Sequence, residues 1–280
     1  MTAKTWKLTL EYDGTKYSGW QEQQNARTVQ AQVRQAAEDL FACDVEIQGA
    51  GRTDAGVHAL AQVAHLRIHP AGGSKLPLQR PTRILRSLNE RLPSDICILD
   101  VEETANSFHA RHDAVNRTYL YRISTRRTAF EKKYVWWVKE ALDVPSMSQA
   151  ARMLIGRHDF GAFHAPDPSR PEKSTIVVVE NAEVEEDGDL VLFRITASHF
   201  LWRMVRRLAG VLVRIGLGEV TLDDLTRLLK GKAVPGMDVA AWTAPSSGLF
   251  LEGVTYLPEK RDRNFRQPNN SKRLDRRTHR

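Results

Sequence analysis

The sequence predicts an α+β protein made of two ferredoxin-like, RRM-like β-α-β-β-α-β units, joined into one mainly antiparallel sheet with a central cleft. Three observations carry this prediction. Trp6, Leu8, Leu10 and Tyr12 alternate with polar residues, the period of a half-buried strand. Segments of helical periodicity fall between such strands in the order of a split βαβ unit. The same order then returns in the second half with longer spacers.

Asp13-Gly14 ends the first strand with turn chemistry. Thr28 stands as an N-cap for a helix to about Phe41, with Val29, Val33, Ala36 and Leu40 on one face. Strands follow at 44–50 and 61–68. Pro81 suits the first turn of a helix carrying Ile84, Leu85 and Leu88, and Ile96 to Val101 is the next strand. In the second half, strands are expected at 115–124 and 133–138, and a helix at 145–156 between Pro145 and Gly156. Strands at 174–185 and 189–197 flank a turn at Glu186-Asp187-Gly188-Asp189. A helix at 200–216, a short one from Leu222 to Leu229 and a strand at 249–256 complete the unit. Residues 1–106 and 107–258 thus divide into an N-terminal and a C-terminal domain, and 259–280 read as a basic, disordered tail.

Apolar residues make up 41% and charged residues 27%, an ordinary globular balance. No apolar run is long enough for a membrane span. A first strand starting near Trp6 leaves no room for a signal peptide, so a cytoplasmic protein is expected. Cys43 and Cys97 form no C-x-x-C pair and read as buried free thiols of a reducing compartment. The formal charge of +7 sits entirely in Lys260–Arg280, with nine Lys/Arg against two Asp. The remaining residues balance, so any RNA-binding surface on the folded body must come from local clustering.

Residues 49–59, Gly49-Ala50-Gly51-Arg52-Thr53-Asp54-Ala55-Gly56-Val57-His58-Ala59, form a tight glycine-rich loop between two strands. It lacks the third glycine and the following helix of a dinucleotide site. By spacing alone it reads either as a loop presenting Asp54 to a substrate or as a turn whose Asp bonds its own backbone. On the helix at 200–216, Met204, Val205, Leu208, Val211, Leu212 and Ile215 fall on one side. Arg203, Arg207 and Arg214 cluster opposite, as a solvated charged face or a binding one, and Arg206 stands on the flank.

Several ordered segments resemble one family, the TruA-type tRNA pseudouridine synthases. Gly51-Arg52-Thr53-Asp54-Ala55-Gly56-Val57-His58 is similar to its signature loop. Glu11 to Gln21, Phe108-His109-Ala110-Arg111, Arg117-Thr118-Tyr119-Leu120-Tyr121, His158 to Phe163, Met204-Val205-Arg206 and Gly248-Leu249-Phe250-Leu251 match further blocks in order. Arg207 departs from the asparagine common after the Met-Val-Arg triplet. The resemblance implies a pseudouridine synthase fold and isomerisation of uridine to pseudouridine in the tRNA anticodon stem-loop. It also implies a homodimer. The reaction balances its own atoms, so no cofactor or metal is expected, and the target base must flip out of its stack.

The resemblance makes Asp54 the essential carboxylate, as nucleophile at the ribose or as base in an elimination, with Arg206 as its cationic partner. Tyr119 would lie against the uracil, stacking on it or helping to move the C5 proton. Arg52 would assist base flipping. His58, Arg111, Arg203 and Arg207 are further candidates for substrate contact, although for His58 ordinary polar packing competes. The nine histidines include no zinc-ligand spacing, and no phosphate-binding P-loop is present. A non-catalytic RNA-binding protein with two RRM-like sheets is the alternative, but no run fits the aromatic RNP signature and Asp54 is retained.

Overall fold

The computed structural model describes residues 4–69, 80–166, 174–232 and 234–257. The tail expected from 259 lies outside the described residues. Hydrophobic alternation over Trp6 to Tyr12 produces β1 (Lys4–Tyr12), followed by α1 (Val29–Phe41), β2 (Val45–Gly49), β3 (His58–Ile68), α2 (Pro81–Asn89) and β4 (Ile96–Thr104). These strands order as β4-β1-β3-β2, every pair antiparallel. The second half comprises β5 (Ala114–Ser124), β6 (Trp136–Trp137), α3 (Val144–Met153), β7 (Gly156–Asp159), β8 (Ile176–Asp187), β9 (Leu190–Ala197), α4 (Met204–Gly216), α5 (Leu222–Leu228) and β10 (Leu249–Tyr256). Its main strands repeat the arrangement as β10-β5-β9-β8. The two sheets join where β10 runs parallel to the start of β3, through Phe250 opposite His58 and Leu251 opposite Ala59. One continuous sheet results, and its seam lies immediately after the glycine-rich loop.

The helices share one face of the sheet. There Trp6, Leu8 and Leu10 of β1 and Tyr121, Phe193 and Ile195 of β5 and β9 bury against Val33, Leu88, Met147 and Leu208. Each such aliphatic side chain contributes about 1.5–3 kcal/mol by leaving water. On the opposite face, the segment joining β4 to β5 crosses the seam. Ala110 packs with Ala50 and Val63, its N–H donates to His65 Nδ1 at 3.1 Å, and Tyr256 Oη donates to its carbonyl at 2.6 Å. This crossing delivers Arg111 and His112 to the edge of the glycine-rich loop.

Several expectations need correction. The helix anticipated over 145–156 stops at Met153, because Gly156 adopts φ +109° and opens the unforeseen strand β7. The strand expected at 133–138 reduces to Trp136–Trp137, paired parallel with the end of β5. The helix anticipated from 200 begins at Met204, since Arg203 takes the left-handed conformation at φ +60° and becomes the N-cap. Thr28 occupies the N-cap of α1 without a side-chain capping bond. Cys43 and Cys97 are free thiols, but half-buried rather than buried. Among the described residues, no helix is long and apolar enough to cross a membrane.

Candidate active site

The loop Gly51–Val57 is held by its neighbours before any ligand arrives. The turn after β1 wraps it: Trp20 N–H donates to Thr53 O at 3.1 Å, Gly56 N–H donates to Tyr17 O at 3.2 Å, and Tyr12 Oη meets Thr53 Oγ1 at 2.8 Å. Contact between these two loops is close enough to demand glycine. A Cβ on Gly14 would stand 1.9 Å from Val57 O, and one on Gly19, itself at φ +94°, would stand 2.5 Å from Thr53 O. Gln62 Nε2 donates to Gly51 O at 3.1 Å and Arg117 Nη2 donates to Ala50 O at 2.9 Å, which fixes the loop's entry.

The turn itself closes through backbone, Val57 N–H to Asp54 O at 3.1 Å, and this leaves the Asp54 carboxylate free to face outward. Arg206 Nη1 lies 3.4 Å from Oδ2, and Trp202 Nε1 donates to Oδ1 at 3.1 Å. Arg206 is in turn oriented by donation from Nε to Ala244 O at 2.7 Å. The Arg206 and Asp54 side chains are 17% and 29% exposed, so the pair is partly desolvated yet reachable. A charge-assisted pair in such a position holds its geometry better than one on an open surface.

Asp54 stands on the wall of a cleft of about 1090 Å³. Tyr119, on β5, forms part of the same wall, is 8% exposed, and meets the Phe200 ring edge-on at 5.0 Å. Burial, reinforced by Tyr12 and the Asp54 charge, pushes its phenol well above the ordinary tyrosine range, so it stays protonated. Arg52 lines the cleft beside Asp54, with Nε donating to Gln21 Oε1 at 3.0 Å. The exposed Arg111, His112 and Arg203 add cationic and polar groups to the rim.

Two expected substrate contacts are not among the lining residues. His58 is 1% exposed; it accepts from Gly14 N–H at Nδ1 (3.1 Å), bonds Lys133 O through Nε2 (3.0 Å), and stacks on Phe250. It therefore supports the loop from behind. Arg207 is 8% exposed and donates to His164 O, because residues 160–165 cover the side of α4 that a helical wheel assigns to solvent. Conversely, Trp202 escapes the sequence reading, since the helix expected from 200 includes it and a lone tryptophan off the apolar stripe carries no spacing signal. In the sequence Arg117 carries no signal beyond its place in a motif. It donates to the carbonyls of Ala50, Arg111, Ala114 and Ser198 and so ties three cleft walls together. Among the described residues, no group of three or more His, Cys, Asp or Glu side chains is placed to hold a metal ion.

A loop carboxylate clasped by a helix arginine, at the seam of two ferredoxin-like halves and under a cationic, aromatic rim, is the arrangement of an enzyme site open to a polyanionic substrate. Comparison with known proteins carries this to a family. A family model described as tRNA pseudouridine synthase matches residues 9–113 and 150–257. The proteins named tRNA pseudouridine synthase A from Brucella ovis, Brucella suis and Brucella melitensis are each 40% identical over 253 residues, covering 90% of this chain and 97% of theirs. The chain belongs to the tRNA pseudouridine synthase family and is an isomerase of the TruA type. A solved structure of an unknown protein from Galdieria sulphuraria aligns at 10% identity over 78% of this chain and 94% of that one, with a TM-score of 0.21.

Proposed function

We propose that this enzyme converts uridine to pseudouridine in the anticodon stem-loop of tRNA, with Asp54 as the reacting carboxylate. The observation that carries this reading is the Asp54 carboxylate itself. It is turned away from its own loop, paired with Arg206 at 3.4 Å, and faces a cleft roomy enough for a flipped nucleotide. The N1–C1′ bond of the nucleotide breaks, uracil turns within the site, and C5 bonds to C1′ while its proton is lost and N1 gains one. Asp54 acts at the ribose, as nucleophile or as base. Arg206 compensates its charge as water leaves the cleft.

Tyr119 offers the uracil a ring face and a neutral hydroxyl, so it serves as a stacking surface or proton donor rather than as a phenolate base. Arg52 sits beside Asp54, where its side chain can occupy the space the flipped base leaves. Arg111 and Arg203 on the rim take phosphates. The enzyme acts in the cytoplasm as a homodimer that grips tRNA across both subunits, as the family resemblance implies. Light scattering of the purified protein tests the dimer.

The test of the function is pseudouridine mapping on an unmodified tRNA transcript. Product confined to the anticodon arm, and lost when those uridines are replaced by cytidine, supports the reading. Product elsewhere in the tRNA rejects the anticodon assignment and leaves the family unaffected.

A further inference from the structure

The least expected group in the cleft is Trp202. It belongs to the six-residue passage Ser198–Arg203 between β9 and α4. Neighbours in that passage are anchored. Leu201 is 4% exposed, Phe200 packs on Tyr119, and the Trp202 carbonyl accepts from Ala165 N–H at 3.0 Å. Trp202, by contrast, is 41% exposed. Burial therefore does not explain its position. Its one polar atom does have a partner: Nε1–H donates to Asp54 Oδ1 at 3.1 Å, while Arg206 faces Oδ2. The two carboxylate oxygens are thus held separately, by donors four residues apart on either side of the N-cap of α4. Arg203 makes this possible. Its left-handed conformation ends the passage and starts the helix, and its guanidinium lies 4.9 Å from the centre of the Trp202 ring.

We infer that Trp202 is a positioning residue, whose indole N–H fixes the rotation of the Asp54 carboxylate and so sets which lone pair meets the ribose of the flipped nucleotide. An arginine contact at one oxygen leaves the carboxylate free to turn about its Cβ–Cγ bond. A second donor at the other oxygen removes that freedom, and reacting groups lose rate steeply when their alignment is relaxed. Because the indole is at the cleft wall and largely outside the core, its role is separable from folding. The inference rests on the reading of Asp54 as the reacting carboxylate.

The experiment compares single-turnover rates on pre-bound tRNA transcript for wild type, Trp202→Phe, Trp202→Ala and Asp54→Ala. Phenylalanine keeps the ring and loses the N–H. Expected is a fall of about tenfold to a hundredfold in the rate of conversion for both Trp202 variants, with tRNA affinity unchanged in Trp202→Phe. A Trp202→Phe enzyme with wild-type rate overturns the inference, as does one whose loss lies wholly in affinity, which would mark a stacking role. An inactive Asp54→Ala beside a fully active Trp202→Phe rejects this inference alone. An active Asp54→Ala rejects the reading beneath it. Tryptophan fluorescence offers a check independent of turnover. Removing the carboxylate in Asp54→Ala alters emission from wild type, and that difference disappears when Trp202→Phe is the background. A difference that persists there overturns the contact.

Discussion

Arg206 Nη1 reaches Oδ2 of Asp54 at 3.4 Å although 152 residues separate the two in sequence. The loop after β2 supplies one partner and the first turn of α4 the other, and the sheet seam brings them together. Arg206 reaches this position because its Nε is tied to Ala244 O, so the guanidinium carries out two tasks at once.

Arg206→Lys tests that double role. A lysine keeps the charge but cannot donate in both directions from one rigid plane. Turnover is expected to fall about a hundredfold or more, with tRNA affinity nearly kept, in single-turnover assays beside binding titrations. A lysine variant of near-normal rate would mean that charge alone suffices.

Tyr119 is held protonated by burial and by its neighbours Tyr12 and Asp54. A raised value means that the phenol remains neutral through and above about pH 10, the ordinary tyrosine range. The pH profile of turnover should therefore show no alkaline limb from Tyr119. Tyr119→Phe should retain tRNA binding and lose roughly a hundredfold in rate if the hydroxyl moves a proton. Unchanged turnover in the phenylalanine variant would restrict the residue to stacking.

Much of this arrangement is legible in the sequence. Alternation from Trp6 to Tyr12 and over Tyr119, Tyr121 and Ile123 marks β1 and β5 because those side chains enter a single core, and the apolar stripe marks α4, although that helix is buried on nearly every side. Where the reading fails, a single backbone conformation decides. Gly156 and Arg203 both take positive φ, ending α3 early and starting α4 late, and hydropathy has no access to either. The late start of α4 also hid Trp202. Arg207 was misplaced for another reason: a helical wheel cannot know that residues 160–165 will lie across its polar side. Asp54 and Arg206 stood out because an ordered series of motifs surrounds them, whereas Arg117 works through backbone carbonyls that no motif identifies.

Arg117→Met removes four donations to carbonyls of the cleft walls. Three of these contacts are part-buried and one is exposed, and a part-buried acceptor left without its donor is costly, so a loss of about 1–3 kcal/mol in denaturant unfolding is expected, together with lower activity. Undiminished stability would show that water replaces the guanidinium.

His58 and His65 are both buried, and burial lowers the pKa of each. Each uses Nδ1 to accept a backbone N–H, from Gly14 and Ala110 respectively. Unfolded histidines bind a proton near about pH 6.5, whereas these bind one only at lower pH. In that window the unfolded chain holds more protons, so stability is full above about pH 6.5 and is lost as pH falls toward the folded values. Denaturant midpoints between pH 7.5 and 5.5 should record this loss, and His65→Gln should reduce its slope by up to about one proton. A flat profile would contradict neutral burial.

The most direct test of the central claim is pseudouridine content in an unmodified tRNA transcript incubated with wild type or with Asp54→Ala. Conversion by wild type alone, with both proteins binding the transcript, is the predicted result. Conversion by Asp54→Ala at the wild-type rate, or by neither protein despite binding, would contradict the assignment of this cleft as the site of isomerisation.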